Sequence, residues 1–371
     1  MKVVCDRTAL LDALTMAQGV VAARTPSPIL QCIRLTARNG HLAIAATDLE
    51  LSLRLGVAQV DVKQEGEVLV PADKLVQIVR ASEDSTLTLE AAKGAVHIRG
   101  ADAHFKVFGQ DAKDFPAMPE PSAKATVSEV PAGALRRLVA RTLFATAVEN
   151  SRYAINGVLF DRQGRKLRLV ATDGRRLAMA RGECSTAGEG DQRCIVPTKA
   201  LNVLGRLIDD PDAPVHIAIE ASQIRFTIGD GEDAALLTSN LVEGAFPPFE
   251  DVIPKDQDKR VSIDSGEFTS AVRRAALLTN EESKGVRMAF GDGRLTLSSR
   301  APEMGEAEIQ VDLTDYHGES IEIGFNPAFL LDALKVIDGS SVQIELKAPN
   351  KPGVLRIGQE FTYVVMPVSL S

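Results

Sequence analysis

Hydrophobic residues recur along this chain in blocks that switch from helical to strand spacing in the same order three times. In the first block Leu10, Leu11, Leu14 and Ala17 fall at helical spacing. Asn39-Gly40 then separates Ile33-Arg34-Leu35-Thr36 from Leu42-Ala43-Ile44, which predicts a two-residue hairpin with positive φ at both turn positions. Strict alternation in Leu49-Glu50-Leu51-Ser52-Leu53-Arg54-Leu55 predicts a strand with one buried and one wet face. Val68-Leu69-Val70 runs into Pro71, a favoured residue where a helix opens, and Leu75, Ile78 and Val79 supply the stripe of a second helix. Thr86-Leu87-Thr88-Leu89, Val96-His97-Ile98 and Phe105-Lys106-Val107 read as closing strands.

The programme then repeats. The first helix returns at Gly133-Ala134-Leu135-Arg136-Arg137-Leu138 and at Phe268-Thr269-Ser270-Ala271-Val272-Arg273, and the hairpin glycine at Gly164 and Gly293. Ala46-Thr47-Asp48 is matched by Ala171-Thr172-Asp173, with Ser298-Ser299-Arg300 in the third place. Such a period far exceeds the roughly 20–50 residues of solenoid repeats and implies tandem copies of a whole domain. The expected fold is α+β: three copies over residues 1–124, 125–255 and 256–371, each with two helices packed on antiparallel sheet. Helices are expected over 6–19, 72–82, 132–148, 198–208, 265–279 and 327–337, with proline-rich connectors at 116–121 and 247–256.

Composition suits an ordinary globular protein, with 45% hydrophobic and 25% charged residues. Aromatics at 4% and the absence of Trp argue against platforms that stack bases or sugars. A net charge of −8 opposes nucleic acid as a partner unless the charges are segregated. They are: the six expected helices carry eleven basic against five acidic side chains. On the helix from 132, Leu135, Leu138, Val139 and Thr142 share one face, while Arg137 and Arg141 are expected roughly opposite. Basic residues on a solvated helix are common, but their recurrence on several repeated helices suits sequence-independent phosphate contact.

The four cysteines show no CxxC spacing and no zinc pattern with histidine, so buried reduced thiols are expected. Met1 to Arg24 lacks the regions of a signal peptide, and no stretch approaches about 20 apolar residues. The expectation is a soluble cytoplasmic protein with no membrane contact. No P-loop, GxSxG, HExxH, GxGxxG or EF-hand loop is present, and no metal or cofactor is expected. Asp48 and Asp173 are candidate paired carboxylates, but the same residues are ordinary turn formers.

With its triplicated α+β domain and basic helices, the chain resembles the bacterial DNA polymerase III beta subunits, the DNA sliding clamps, over its whole length. The matching segments are Thr25-Pro26-Ser27-Pro28-Ile29-Leu30, Ala46-Thr47-Asp48-Leu49-Glu50, residues 170–177, Ser283-Lys284-Gly285-Val286-Arg287 and Tyr363-Val364-Val365-Met366-Pro367-Val368. The resemblance implies a non-catalytic processivity factor, a head-to-tail homodimeric ring around double-stranded DNA. It implies DNA contacts at Arg24, Arg152 and Tyr153, and inner-helix positions for Lys74, Arg80 and Lys199, beside the Arg137 and Arg141 of the charge pattern. Asp73, Glu149 and Ala154 depart from the family pattern there.

The resemblance further implies a pocket for short hydrophobic peptides at Ile155, Thr172, Gly174, Arg175, Arg176, Leu177, Pro247, Val252, Val364, Val365, Met366 and Pro367. Its implied partners are the polymerase III alpha subunit, the ATP-driven clamp loader, other polymerases and repair proteins. Ser369 and Phe329 depart from the usual pocket residues. Phe105 and Val107 match one side of a subunit interface and Leu277 and Leu278 the other; a separate expectation from charge alone is that Lys74 and Arg99 meet Glu303, Glu306 and Glu308 across that joint. Two other readings stand beside this one: a static DNA-binding protein that forms no ring, and an enzyme with a site at a domain junction around Asp173 and Arg176.

Overall fold

The structure, a computed structural model, describes residues 1–119, 126–148, 153–186, 188–279, 285–291, 293–339 and 341–369. The first copy runs β1 (Lys2–Asp6), α1 (Arg7–Gln18), β2 (Cys32–Arg38), β3 (His41–Thr47), β4 (Leu51–Val57), β5 (Val60–Gln64), β6 (Gly66–Pro71), α2 (Ala72–Ala81), β7 (Thr86–Ala92), β8 (Ala95–Arg99) and β9 (His104–Phe108). The second runs β10 (Thr126–Pro131), α3 (Ala132–Leu143), β11 (Gly157–Gln163), β12 (Lys166–Thr172), β13 (Arg176–Glu183), β14 (Gln192–Pro197), α4 (Thr198–Leu207), β15 (Pro214–Ile219), β16 (Gln223–Ile228) and β17 (Ala235–Asn240). The third runs β18 (Lys259–Asp264), α5 (Ser265–Ala275), β19 (Val286–Gly291), β20 (Arg294–Ala301), β21 (Gly305–Asp312), β22 (Ile321–Phe325), α6 (Pro327–Leu334), β23 (Ser341–Leu346), β24 (Gly353–Ile357) and β25 (Phe361–Val365).

These elements form two compact units. One comprises Met1–Arg136, Cys184–Gly190 and Lys199–Leu241; the other Arg137–Glu183, Asp191–Thr198 and Val242–Ser371. The first unit holds a five-stranded sheet, β5-β1-β7-β8-β9, and an eight-stranded sheet, β10-β15-β16-β17-β4-β3-β2-β6. The second holds an eight-stranded sheet, β14-β11-β12-β13-β25-β24-β23-β18, and a four-stranded one, β21-β20-β19-β22. Each eight-stranded sheet thus crosses from one copy to another. In the first, β17 of the second copy pairs antiparallel with β4 of the first, Leu237 opposite Leu53. In the second, β25 of the third copy pairs with β13 of the second, Leu177 opposite Val364. The expected boundary at 124/125 lies outside the described residues.

Helix starts follow local chemistry. Asp6, Asp264 and Asn326 each accept a backbone N–H of the first turn, at Ala9, Glu267 and Ala328. Pro327 occupies the first turn of α6, whereas Pro71 and Pro197 end the strands ahead of α2 and α4. α3 stops at Leu143, short of the expected 148, and Thr142 Oγ1 turns back onto the Leu138 and Val139 carbonyls. The strand expected from Leu49 begins at Leu51. Each unit buries its own apolar set, for example Leu10, Leu14, Ile33 and Leu35 in the first and Phe160, Phe268, Phe290 and Phe361 in the second. Each such side chain contributes about 1.5–3 kcal/mol. All four cysteines are buried, and burial pushes the Cys5 and Cys194 thiols up to about 12. Among the described residues no helix is long and apolar enough to cross a membrane.

The repeat is visible at the level of single hydrogen bonds. Asn39 and Gly40 both take positive φ, 49° and 81°, as their hairpin demands. After β3, Thr47 Oγ1 donates to the Leu51 carbonyl and accepts from Leu49 N–H, while Asp48 Oδ1 accepts from Glu50 and Leu51 N–H. After β12, Thr172 and Asp173 make the same bonds to Arg176, Gly174, Arg175 and Arg176 in turn. The residue between is left-handed in both, Leu49 at 79° and Gly174 at 85°. A Cβ at Gly174 meets nothing within 4 Å, so only backbone strain opposes a side chain there. Gly174→Ala is therefore expected to cost about 1 kcal/mol. Leu49→Gly is expected to change stability by under about 0.5 kcal/mol, since relieved strain is offset by added unfolded-state entropy. Urea unfolding of both variants checks the pair; equal effects would show the two turns are not held alike.

Candidate functional site

The second of these turns borders a cavity of about 190 Å³ in the second unit. Ile155, Leu177, Phe249 and Val364 form its apolar depth, and Val252 and Met366, both partly open to solvent, lie on its rim. Tyr153, Thr172, Gly174, Arg175, Arg176 and Pro247 complete the lining. The floor is fixed by sheet register: Leu177 and Val364 are cross-strand partners, and Met366 N–H donates to the Arg175 carbonyl at 2.9 Å. Packing behind it are Leu159, Val170 and Met179. An apolar pocket of this kind, with a thioether at its mouth, adapts to varied aliphatic and aromatic side chains.

Arg176 holds the wall together. Its Nε donates to Asp173 Oδ2 at 3.0 Å, one terminal nitrogen to Asp332 Oδ2 at 2.8 Å and the other to the Phe144 carbonyl at 2.9 Å. The same guanidinium lies over the rings of Phe329 at 4.4 Å and Phe144 at 5.6 Å. Burial opposes its charge, but the bond to Asp332, the neighbouring Tyr363 and the bond to Asp173 raise its pKa overall. Burial also pushes the Tyr363 phenol up, and its hydroxyl donates to the Phe329 carbonyl at 2.8 Å. Asp173 is thus spent on two backbone N–H groups and a guanidinium, and Asp48 on two N–H groups and Lys199. Neither carboxylate is poised for acid–base chemistry.

Ten of the twelve expected pocket residues line this cavity. Val365 does not: it is fully buried, because strand alternation turns its side chain to the face opposite Val364. Pro367 lies past the end of β25, half-buried and off the wall. Phe249 was missed by sequence reasoning; its signal is an aromatic directly after Pro247-Pro248 in the connector. Tyr153, expected at DNA, stands on the cavity wall.

Expected DNA-contact residues divide in two. Arg24, Lys74, Arg80 and Arg137 are exposed and, among the described residues, make no ion pair. Arg141 is a correction: it is 3% exposed, bonded to Asp338 at 2.7 Å and Glu360 at 3.2 Å, and lies over the Phe361 ring. Four residues advance a helix by about 400°, so Arg141 is offset about 40° from Arg137. That offset, together with the two carboxylates, carries it inward. Burial would raise Asp338, but Arg141 holds that carboxyl below its usual range. Lys199 is exposed yet spoken for, with Nζ 2.5 Å from Asp48 Oδ2 and 3.1 Å from the Val20 carbonyl. Arg152 and Glu149 lie outside the described residues.

At the sheet edges Phe105 on β9 and Leu277, in a single turn after α5, are exposed, while Val107 and Leu278 are half-buried. Phe108 and Met304 add exposed apolar surface beside them that the sequence reading did not name. Arg99 is held by Glu90 within its own sheet and Glu306 by Arg300, which leaves Lys74 as the unpaired cation of that expected set. Arg176→Ala is expected to lower stability by about 3 kcal/mol, because Asp173 and Asp332 lose their partner. Arg176→Lys is expected to recover little, since an ammonium cannot serve three acceptors in that planar fork. Denaturant unfolding of both variants measures this, and full recovery by Lys would refute it.

Comparison with known proteins agrees along the whole chain. Residues 1–119, 129–248 and 250–369 match the N-terminal, central and C-terminal domains of the DNA polymerase III beta subunit. The chain is 35% identical to the beta sliding clamp of Pseudomonas putida, over 98% of this chain and 99% of that one. It is 34% identical to that of Escherichia coli over the full length of both. Among solved structures, the Pseudomonas aeruginosa sliding clamp bound to griselimycin superposes with a TM-score of 0.92 at 34% identity, and the Bacillus subtilis clamp with 0.92 at 25%, each covering 100% of both chains. The chain belongs to the DNA polymerase III beta subunit family, the beta sliding clamps.

Proposed function

We propose that two copies of this chain close head to tail around duplex DNA through β9 of one and β21 of the other. A sliding clamp is a non-catalytic processivity factor, and such a ring tethers polymerase to template by topology instead of grip. One observation carries the reading. By position in the repeat, β4, β13 and β21 are equivalent, and so are β9, β17 and β25. Pairing of β17 with β4 and of β25 with β13 uses four of the six. The two left over, β9 and β21, are outer edges of their sheets. Paired between two chains, they complete the series twice and leave no open end of this kind. Their chemistry is complementary: β9 offers Phe105, Lys106 and Phe108, and β21 offers Glu306, Glu308 and nearby Met304.

Lys74, Arg80, Arg137 and Arg24, all exposed cations, are the proposed phosphate contacts, which position DNA without reading its sequence. The cavity beside Thr172–Leu177 is the proposed seat for short hydrophobic peptides of the polymerase III alpha subunit, the ATP-driven clamp loader, other polymerases and repair proteins. The protein's place of work is then the cytoplasm, with its DNA.

Native mass in solution is expected at twice that of the chain. Leu277→Glu and Phe105→Glu are each expected to weaken association at least tenfold, and a wild-type monomer would sink the ring. Protein loaded on nicked circular DNA is expected to stay through gel filtration and to leave when the circle is cut; equal loss from both forms would favour static binding. Val252→Asp and Met366→Asp are expected to weaken binding of a synthetic alpha-subunit peptide at least tenfold with the dimer intact. Unaltered peptide affinity would remove the cavity from the proposal.

A further inference from the structure

The outward face of β2, β3, β4 and β17 carries a trough of about 700 Å³ within the first unit. Its floor is β3, whose outward residues Ala43 and Ala45 are small. Arg34 and Arg38 rise from β2 on one side and Arg54 from β4 on the other. Sheet register places Arg34, Ala45, Arg54 and Leu236 in one row and Arg38 opposite His41 in another. The Arg34 guanidinium is held over the Phe115 ring at 4.9 Å, and its Nε is buried without a hydrogen-bond partner.

None of the three arginines makes an ion pair among the described residues. The nearby carboxylates make no ion pair with them: Asp233 Oδ1 contacts His41 Nδ1 at 3.0 Å, Glu65 accepts from Asn39 N–H at 2.8 Å, and Glu67, opposite Thr36 on β6, bonds neither Arg34 nor Arg38. Three guanidiniums without a carboxylate partner around one concave surface, on a chain with net charge −8, form a local field that favours an anion.

We propose that this trough binds a small phosphorylated ligand of nucleotide size that carries two or more phosphates. Planar guanidinium forks match phosphate oxygens two at a time, and two or more phosphates can engage forks on both sides of the floor, which a single carboxylate cannot. The volume lies within the roughly 300–1,000 Å³ of small-molecule sites. Ala43, Ala45, Leu236 and Met118 supply an apolar surface for the rest of the ligand.

The test is calorimetric titration of the full-length protein at low ionic strength with two probes, pyrophosphate and magnesium-free ADP. Saturable binding of one ADP per chain is expected, with affinity at least tenfold lower in the Arg38→Ala, Arg54→Ala double variant and unchanged in Lys351→Ala. Arg38 and Arg54 are exposed, so the double variant is expected to keep the wild-type melting temperature and native mass. No saturable heat with either probe overturns the proposal, as does undiminished affinity in the double variant. A glutamate-rich peptide that binds more tightly than both probes also overturns it, in favour of an acidic protein segment. The ring reading is untouched by any of these outcomes, because its readout is native mass.

Discussion

A strand at the edge of a sheet presents backbone donors and acceptors that another strand satisfies better than water does, and this constraint organises the molecule. Within each unit it is met by borrowing: a sheet begun in one copy is continued by the closing strand of the next, at β4–β17 and at β13–β25. Fusing sheets across copies places the apolar cavity where it is. Its floor is the β13–β25 seam, with Leu177 from the second copy opposite Val364 from the third. The same rule, applied to the two edges left over, is what makes a closed assembly the natural completion of the fold.

Local periodicity carried much of this into the sequence. Asn39-Gly40 specified its hairpin because only a few residues tolerate two successive positive φ angles. The repeated Thr-Asp pair specified its turn because short polar side chains cap nearby N–H groups. The order of helices and strands was legible three times over, and the third copy corroborated weaker signals in the other two. Leu49 shows the limit: alternation extended the strand backward through it, whereas Asp48 captures the Glu50 and Leu51 N–H groups and delays the strand.

What failed to show was pairing across long sequence distances. Arg141 resembled Arg137 on a helical wheel, but its partners Asp338 and Glu360 lie in the third copy, and no local pattern announces them. Lys199 was hidden in the same way by Asp48 from the first copy. Val365 is a different kind of miss, since strand alternation alone separates it from Val364. The cavity's position between strands of different copies explains why Phe249, supplied by a connector, carried so faint a signal.

The fate of these cations bears on how a clamp meets DNA. A guanidinium fixed by two carboxylates, like Arg141, offers no net positive field at a distance. Lys74, Arg80 and Arg137, exposed and without an ion pair among the described residues, keep their charge available on long side chains. A phosphate contact of that second kind would exchange at little cost, because the counterion released at the new phosphate is balanced by one that recondenses on the vacated phosphate. A lining that mixed fixed bidentate forks with free cations would favour particular registers and stall. Withdrawal of Arg141 and neutralisation of Lys199 by Asp48 therefore suit a ring that must hold DNA without choosing a place on it.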